Sequence, residues 1–178
     1  MTEEIFASNV ESAAGDKQMS LMVNAHSYLL TVGNGPGEVD PAHTLAFTLR
    51  ETLGLTGTKV SCDKGACGGC TVLMDGKAVL SCMLLTIECG GKEITTIEGL
   101  MEPKTGALDP LQQSFIDHSA FQCGFCTPGM IMSAKALLAE NPSPSEEEIK
   151  EALSGNFCRC ISQYQVVEAV KAVSGKKR

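Results

Sequence analysis

The spacing of its cysteines limits what this chain can be more than any other feature. Nine occur in 178 residues, and eight of them fall into two sets of four. Cys62, Cys67 and Cys70 run C-x4-C-x2-C, with Cys82 further along, while Cys123, Cys126, Cys158 and Cys160 form a C-x2-C turn and a C-x-C turn. Disulfide frameworks belong to exported chains. The first residues, Met1-Thr2-Glu3-Glu4, are acidic, with neither an apolar signal region nor a twin-arginine pair. The expectation is a cytoplasmic chain with reduced thiols, which makes metal binding the better reading of the cysteines.

The first set begins with the spacing of plant-type [2Fe-2S] ferredoxins. A short loop must put two thiolates on one iron and one on the other, and Lys64-Gly65-Ala66 and Gly68-Gly69 let the backbone turn tightly around them. Backbone N–H groups then point at the sulfurs. Cys82 is expected from the far strand of a hairpin. In the second set, the helix start after Cys126 offers positive partial charge to the thiolates. A structural zinc site of four cysteines is the alternative for either set, and a thioredoxin-like redox pair at Cys123 and Cys126 is another. Cys89 is left over and reads as a small buried hydrophobe.

Around these sets the chain changes character midway. Residues 1–18 are polar and read as a flexible extension. Met19–Asn24 and Tyr28–Val32, separated by His26-Ser27, suggest a hairpin. Thr44 is placed to cap a helix reaching Leu53, with Leu45, Leu49 and Leu53 on one face. Thr71–Met74 and Lys77–Cys82 flank Asp75-Gly76, a dipeptide suited to a type I′ turn. Glu93–Ile97 is the last strand candidate. After a linker rich in Pro and Gly come four helices. Asp109-Pro110 starts one that runs to about His118, and Thr127-Pro128 starts another that Pro142 stops. Ser145 with Glu148 opens a third as a capping box. Tyr164–Val173 is the amphipathic fourth. The fold class is α+β, with units at 19–100 and 101–178.

Composition excludes several function classes. A net charge of −7 argues against nucleic acid, which needs clustered Lys and Arg. The one basic cluster, Lys176-Lys177-Arg178, reads as a frayed tail. No apolar run approaches the roughly 20 residues of a membrane span. His26, His43 and His118 are scattered and are not expected as ligands. Phe125 and Phe157 are expected to shield the neighbouring cysteines from water.

At the cysteine motifs the sequence resembles a known family. Gly54-Leu55-Thr56-Gly57-Thr58-Lys59 leading to Cys62, then Cys67-Gly68-Gly69-Cys70-Thr71-Val72, is similar to the iron–sulfur (small) subunit of the xanthine oxidase, or molybdenum hydroxylase, family. So are Gln122-Cys123-Gly124-Phe125-Cys126-Thr127-Pro128-Gly129 and Gly155-Asn156-Phe157-Cys158-Arg159-Cys160. The resemblance implies an N-terminal β-grasp [2Fe-2S] ferredoxin domain followed by an all-α four-helix bundle with a second [2Fe-2S] cluster. It implies an electron-transfer subunit with no catalytic residue of its own, relaying electrons between molybdopterin and FAD or another acceptor. Molybdopterin would sit on a large partner subunit and FAD on a medium one. Gln122 and Cys160 would contact the pterin. Where family members continue with Thr-Gly-Tyr after Cys-Arg-Cys, this chain has Ile161-Ser162-Gln163-Tyr164. A free-standing two-cluster ferredoxin and a structural zinc protein are the alternative functions. The substrate belongs to the molybdenum subunit and is not legible here.

Overall fold

A computed structural model describes residues 17–175. Most of the expected extension and the basic tail at 176–178 lie outside them. Strand β1 (Lys17–Val23) pairs antiparallel with β2 (His26–Val32), so Lys17 and Gln18 already belong to the sheet, opposite Val32 and Thr31. Their polarity hid this from the sequence, but ladder bonds are made by the backbone whatever the side chain. The turn falls at Asn24-Ala25, not at His26-Ser27. Both residues take the left-handed conformation (φ 52° and 62°) that such a tight turn demands. Asn24 is held there from afar, since its Nδ2 donates to Thr96 Oγ1 (2.9 Å) and its Oδ1 accepts from the Thr96 N–H (2.8 Å).

Strand β3 (Thr71–Met74) and β4 (Lys77–Leu80) form the second hairpin, with Asp75 and Gly76 at φ 50° and 80° as a type I′ turn requires. Strand β5 (Glu93–Thr95) lies parallel to β1 and antiparallel to β3, giving a mixed five-stranded sheet in the order β2-β1-β5-β3-β4. Asp75 ties this turn to β5. Its Oδ1 accepts from the Glu93 N–H (3.0 Å) and its Oδ2 meets Lys92 Nζ (2.9 Å), and these contacts hold its carboxyl below the usual range.

Helix α1 (Leu45–Phe47) starts at Thr44, whose hydroxyl accepts from the Phe47 N–H, and then widens into a π turn over Thr48–Thr52. The widening carries Thr48 inward beside Leu45 and Leu49, all three fully buried, and Thr48 Oγ1 meets Thr86 Oγ1 at 2.7 Å. Leu53, expected on the same face, is only half-buried. These leucines pack with Leu21, Val23, Val39, Val72 and Ile94 under the sheet.

Four helices follow, namely α2 (Pro110–Asp117), α3 (Thr127–Glu140), α4 (Glu146–Ala152) and α5 (Gln163–Val173). Asp109 and Ser145 cap α2 and α4 through reciprocal bonds with Gln112 and Glu148. Leu111, Phe115, Met130, Ile149, Val166 and Val170 share one apolar core among them. That core extends beyond the helices, because Ile97 and Leu100 from the 3-10 turn after β5 pack on it, and α3 lies against β3 and β4. No helix among the described residues is long and apolar enough to cross a membrane.

Candidate metal centre

The loop from Cys62 to Cys70 is shaped by left-handed residues, Asp63, Gly65 and Gly68. At Gly65 (φ 74°) the left-handed conformation favours glycine, and a Cβ there would lie 3.1 Å from Met83 Cγ, so that side chain would have to give way. The resulting wrap aims backbone N–H groups at Cys62, and the Ala66 N–H lies 3.2 Å from its Sγ. Donation from Lys64, then from the Cys67 thiol and Ala66, lowers the Cys62 thiol to about 7.

Cys82 does not sit on a strand. Strand β4 ends at Leu80, and Ser81–Met83 forms a 3-10 turn. The cause is Ser81, fully buried, whose hydroxyl donates to the Cys70 carbonyl at 2.7 Å and whose N–H reaches the same oxygen at 3.3 Å. That clamp brings Cys82 beside Cys70, both buried with Ala46, Val60 and Leu80 around them. Burial, with the Cys82 thiol adding to it, pushes the Cys70 thiol up to about 11.

In the second set the exposed thiols Cys123 and Cys160 approach to 3.9 Å. The Cys123 thiol raises that of Cys160. Cys126 pairs with Cys158, and burial followed by that neighbour pushes it up to about 12. Cys158 shifts the other way. Burial opposes the shift, but the Cys126 thiol and the N–H groups of Ile161 and Cys160, each 3.4 Å from its Sγ, lower it. The unusual turn after Cys160 serves this geometry. Ile161 is buried in the helical core while its N–H faces the sulfur, and the Ser162 hydroxyl caps α5 by accepting from the Tyr164 N–H.

Cys126, and not Thr127, occupies the N-cap position of α3. Thr127 is drawn into the first turn, and its Oγ1 is buried with no hydrogen-bond partner. An orphaned hydroxyl beside a cysteine pair fits a site whose acceptor atoms belong to a bound group. The thiols fit it as well. Those pushed upward by burial stay neutral alone, and a cationic metal offsets the cost of ionising them.

The strongest thiol contacts fall in twos, Cys62 with Cys67, Cys70 with Cys82, Cys123 with Cys160, and Cys126 with Cys158, and in the second set Cys126 also feels Cys123 and Cys160 feels Cys158. Among the described residues no three His, Cys, Asp or Glu side chains gather where a single metal ion would sit. Cys89 stands apart, 1% exposed in the core under the sheet, and burial raises its thiol to about 11. Gln122 is exposed next to Cys123. Phe125 and Phe157, expected to shield the thiols, stand 46% and 64% exposed. Sequence reasoning missed Asn156, a buried side chain whose Nδ2 donates to the Gly68 carbonyl at 3.0 Å. A polar residue beside a cysteine motif was the available signal.

Known proteins place this geometry in a family. The [2Fe-2S] binding domain family matches residues 96–171. The nicotine 6-hydroxylase small subunit of Paenarthrobacter nicotinovorans is 52% identical over 138 residues, spanning 78% of this chain and 82% of that protein. Quinoline 2-oxidoreductase from Pseudomonas putida 86 superposes with a TM-score of 0.79 at 42% identity, covering 86% of this chain and 90% of that one. Aldehyde oxidoreductase from Desulfovibrio gigas gives 0.79 at 40% identity, but the match, 88% of this chain, is only 17% of that longer one. The chain belongs to the iron–sulfur small subunits of the xanthine oxidase family of molybdenum hydroxylases, the non-catalytic subunits that transfer electrons in those oxidoreductases.

Proposed function

We propose that the chain holds two [2Fe-2S] clusters, one on Cys62, Cys67, Cys70 and Cys82 and one on Cys123, Cys126, Cys158 and Cys160. The observation that carries this is the meeting of the thiols in twos. A mononuclear site of four cysteines needs four sulfurs round one point, whereas a centre with two irons takes two thiolates on each. When bound, such a cluster accepts and releases a single electron. The chain's own work is to hold and tune the sulfurs. N–H groups of the Cys62 loop and of Cys160 and Ile161 donate to thiolates, which favours their charge. Ser81 fixes the Cys70 and Cys82 pair through the backbone.

In this reading the β-grasp ferredoxin domain, set at 19–100 by the sequence, takes in Lys17 and Gln18 of its first strand as well, and 101–178 are a four-helix iron–sulfur domain. The partner is a molybdopterin-binding large subunit, met by Gln122 and Cys160, with an FAD-binding medium subunit as the next acceptor. Exposure of Cys123 and Cys160 supports the first contact, since an electron carrier needs one ligand pair near its partner. An iron–sulfur carrier with eight thiolate ligands needs its cysteines reduced, which is the condition of the cytoplasm.

Iron, zinc and acid-labile sulfide on the purified chain, with EPR of the reduced sample, test the assignment. About four iron and four sulfide per chain with two distinct signals are expected of two [2Fe-2S] centres. Zinc without sulfide would overturn it. In Cys67→Ser the signal of the first centre should be lost, with iron falling by about half. An unchanged iron content would remove Cys67 from the ligands.

A further inference from the structure

The two cysteine-bearing loops touch. The Phe157 N–H donates to the Cys67 carbonyl at 2.9 Å, and Asn156 Nδ2 donates to the next carbonyl, Gly68, at 3.0 Å. Among the described residues these are the hydrogen bonds that join the loop at 62–70 to the turn at 156–160. Two glycines make the approach possible. At Gly68 (φ 69°) a Cβ would lie 2.5 Å from both Asn156 Nδ2 and the Gly155 oxygen. At Gly129, three residues past Cys126 in the first turn of α3, a Cβ would overlap the Gly68 carbonyl oxygen.

This contact has a chemical consequence. From Cys67 Sγ the chain runs covalently to its own carbonyl, crosses one hydrogen bond to the Phe157 nitrogen, and continues covalently to Cys158 Sγ. A proposed ligand of each set thus stands at each end of a bonded route with a single non-covalent step. We infer that Asn156 is the positioning residue of the electron junction between the two sets: by gripping Gly68 it holds the Phe157 N–H on the Cys67 carbonyl. The inference rests on the two-cluster reading above. With both thiol sets loaded, one electron would pass between the centres they hold, one being oxidised as the other is reduced. No bond forms or breaks, and no proton moves.

Asn156 is well suited to a test because removing its amide orphans nothing at Gly68. That oxygen also accepts from Thr71 Oγ1 at 2.7 Å and from the Thr71 N–H at 3.2 Å. Asn156→Ala deletes the grip, and Asn156→Asp keeps its shape while facing an acceptor with an acceptor. Both are made in the full chain loaded with iron and sulfide. Hydrogen exchange reads the Phe157 amide, and rapid-freeze EPR after injection of one electron per chain follows its redistribution between the centres.

In both variants the Phe157 amide is expected to exchange about tenfold faster, the worth of one hydrogen bond. Electron redistribution should slow several-fold in both variants, while in Asn156→Ala, which adds no charge, iron content, g-values and both midpoint potentials stay as in the wild type. A structural role alone would lower melting temperature without slowing redistribution at unchanged potentials. Faster amide exchange with an unchanged electron rate would overturn the route. Unchanged exchange would overturn the role of Asn156. Should the Asn156 variants lose iron, Gly129→Ala wedges the loops from the helix side with Asn156 intact. Slowing there supports the junction, and a wild-type rate sinks it. Failure of the underlying reading is separable, because a wild-type chain without two iron centres is recognised by iron and sulfide analysis before any variant is made.

Discussion

Cys89 shows how one residue can match the chemistry of a site without belonging to it. Its sulfur donates to the Leu85 carbonyl at 3.4 Å from within the apolar core under the sheet. It serves there as a small hydrophobe. Cys89→Ser should therefore leave iron, sulfide and both EPR signals unchanged. A hydroxyl in apolar surroundings should lower stability by about 1 kcal/mol, read by thermal or chemical unfolding. Loss of iron in that variant would move Cys89 among the ligands.

Among the secondary-structure elements, the helices are held by their ends. In α4 the Ser145 N–H and hydroxyl bond Glu148 and depress its carboxyl, while Lys150 and then Lys171 depress that of Glu146. A carboxyl whose folded value is depressed contributes stability above its unfolded value, near 4.5, and the contribution is lost as pH falls through the folded value. Ser145→Ala should cost about 1 kcal/mol near neutral pH. The gap in melting temperature between variant and wild type should narrow on acidification below about pH 4.5. A gap that does not change with pH would mean that the Ser145 hydroxyl does not favour the Glu148 carboxylate. Between α2 and α3, Asp109 pairs with Lys135, their side chains only 11% and 12% exposed. Lys135→Met leaves a largely buried carboxylate alone and should destabilise by about 3 kcal/mol in chemical denaturation. Adding Asp109→Asn, which still caps α2, should recover most of that. A neutral Lys135→Met would show that the pair is solvated.

Across the molecular surface, the exposed Cys123 and Cys160 pair is flanked in the sequence by apolar side chains that a lone chain leaves uncovered. Phe121 is 40% exposed and Tyr164 70% exposed. In the proposed complex these aromatics would face the partner, as anchors of an interface commonly do. Tyr164→Glu adds an acid to the first turn of α5, where the helix tolerates it. It should weaken association with the proposed molybdopterin-binding subunit by roughly tenfold or more, measured by titration of the separated subunits, with iron content unchanged. Undiminished affinity would place the interface elsewhere.

Features governed by neighbours along the chain were legible in the residues alone. Thr44, Asp109 and Ser145 cap helices because a side-chain oxygen reaches N–H groups two or three residues on. Asp75-Gly76 turns because both residues tolerate positive φ. Other features depended on contacts far apart in the sequence. Asn24 became a turn residue through Thr96, Cys82 left its strand because Ser81 bonds Cys70, and the first helix widened to bury Thr48 against Thr86. The meeting of thiols in twos, and of Asn156 with Gly68, is of the same kind. Spacing limits where a thiol or an amide can reach, but only the packed chain decides which partner it meets.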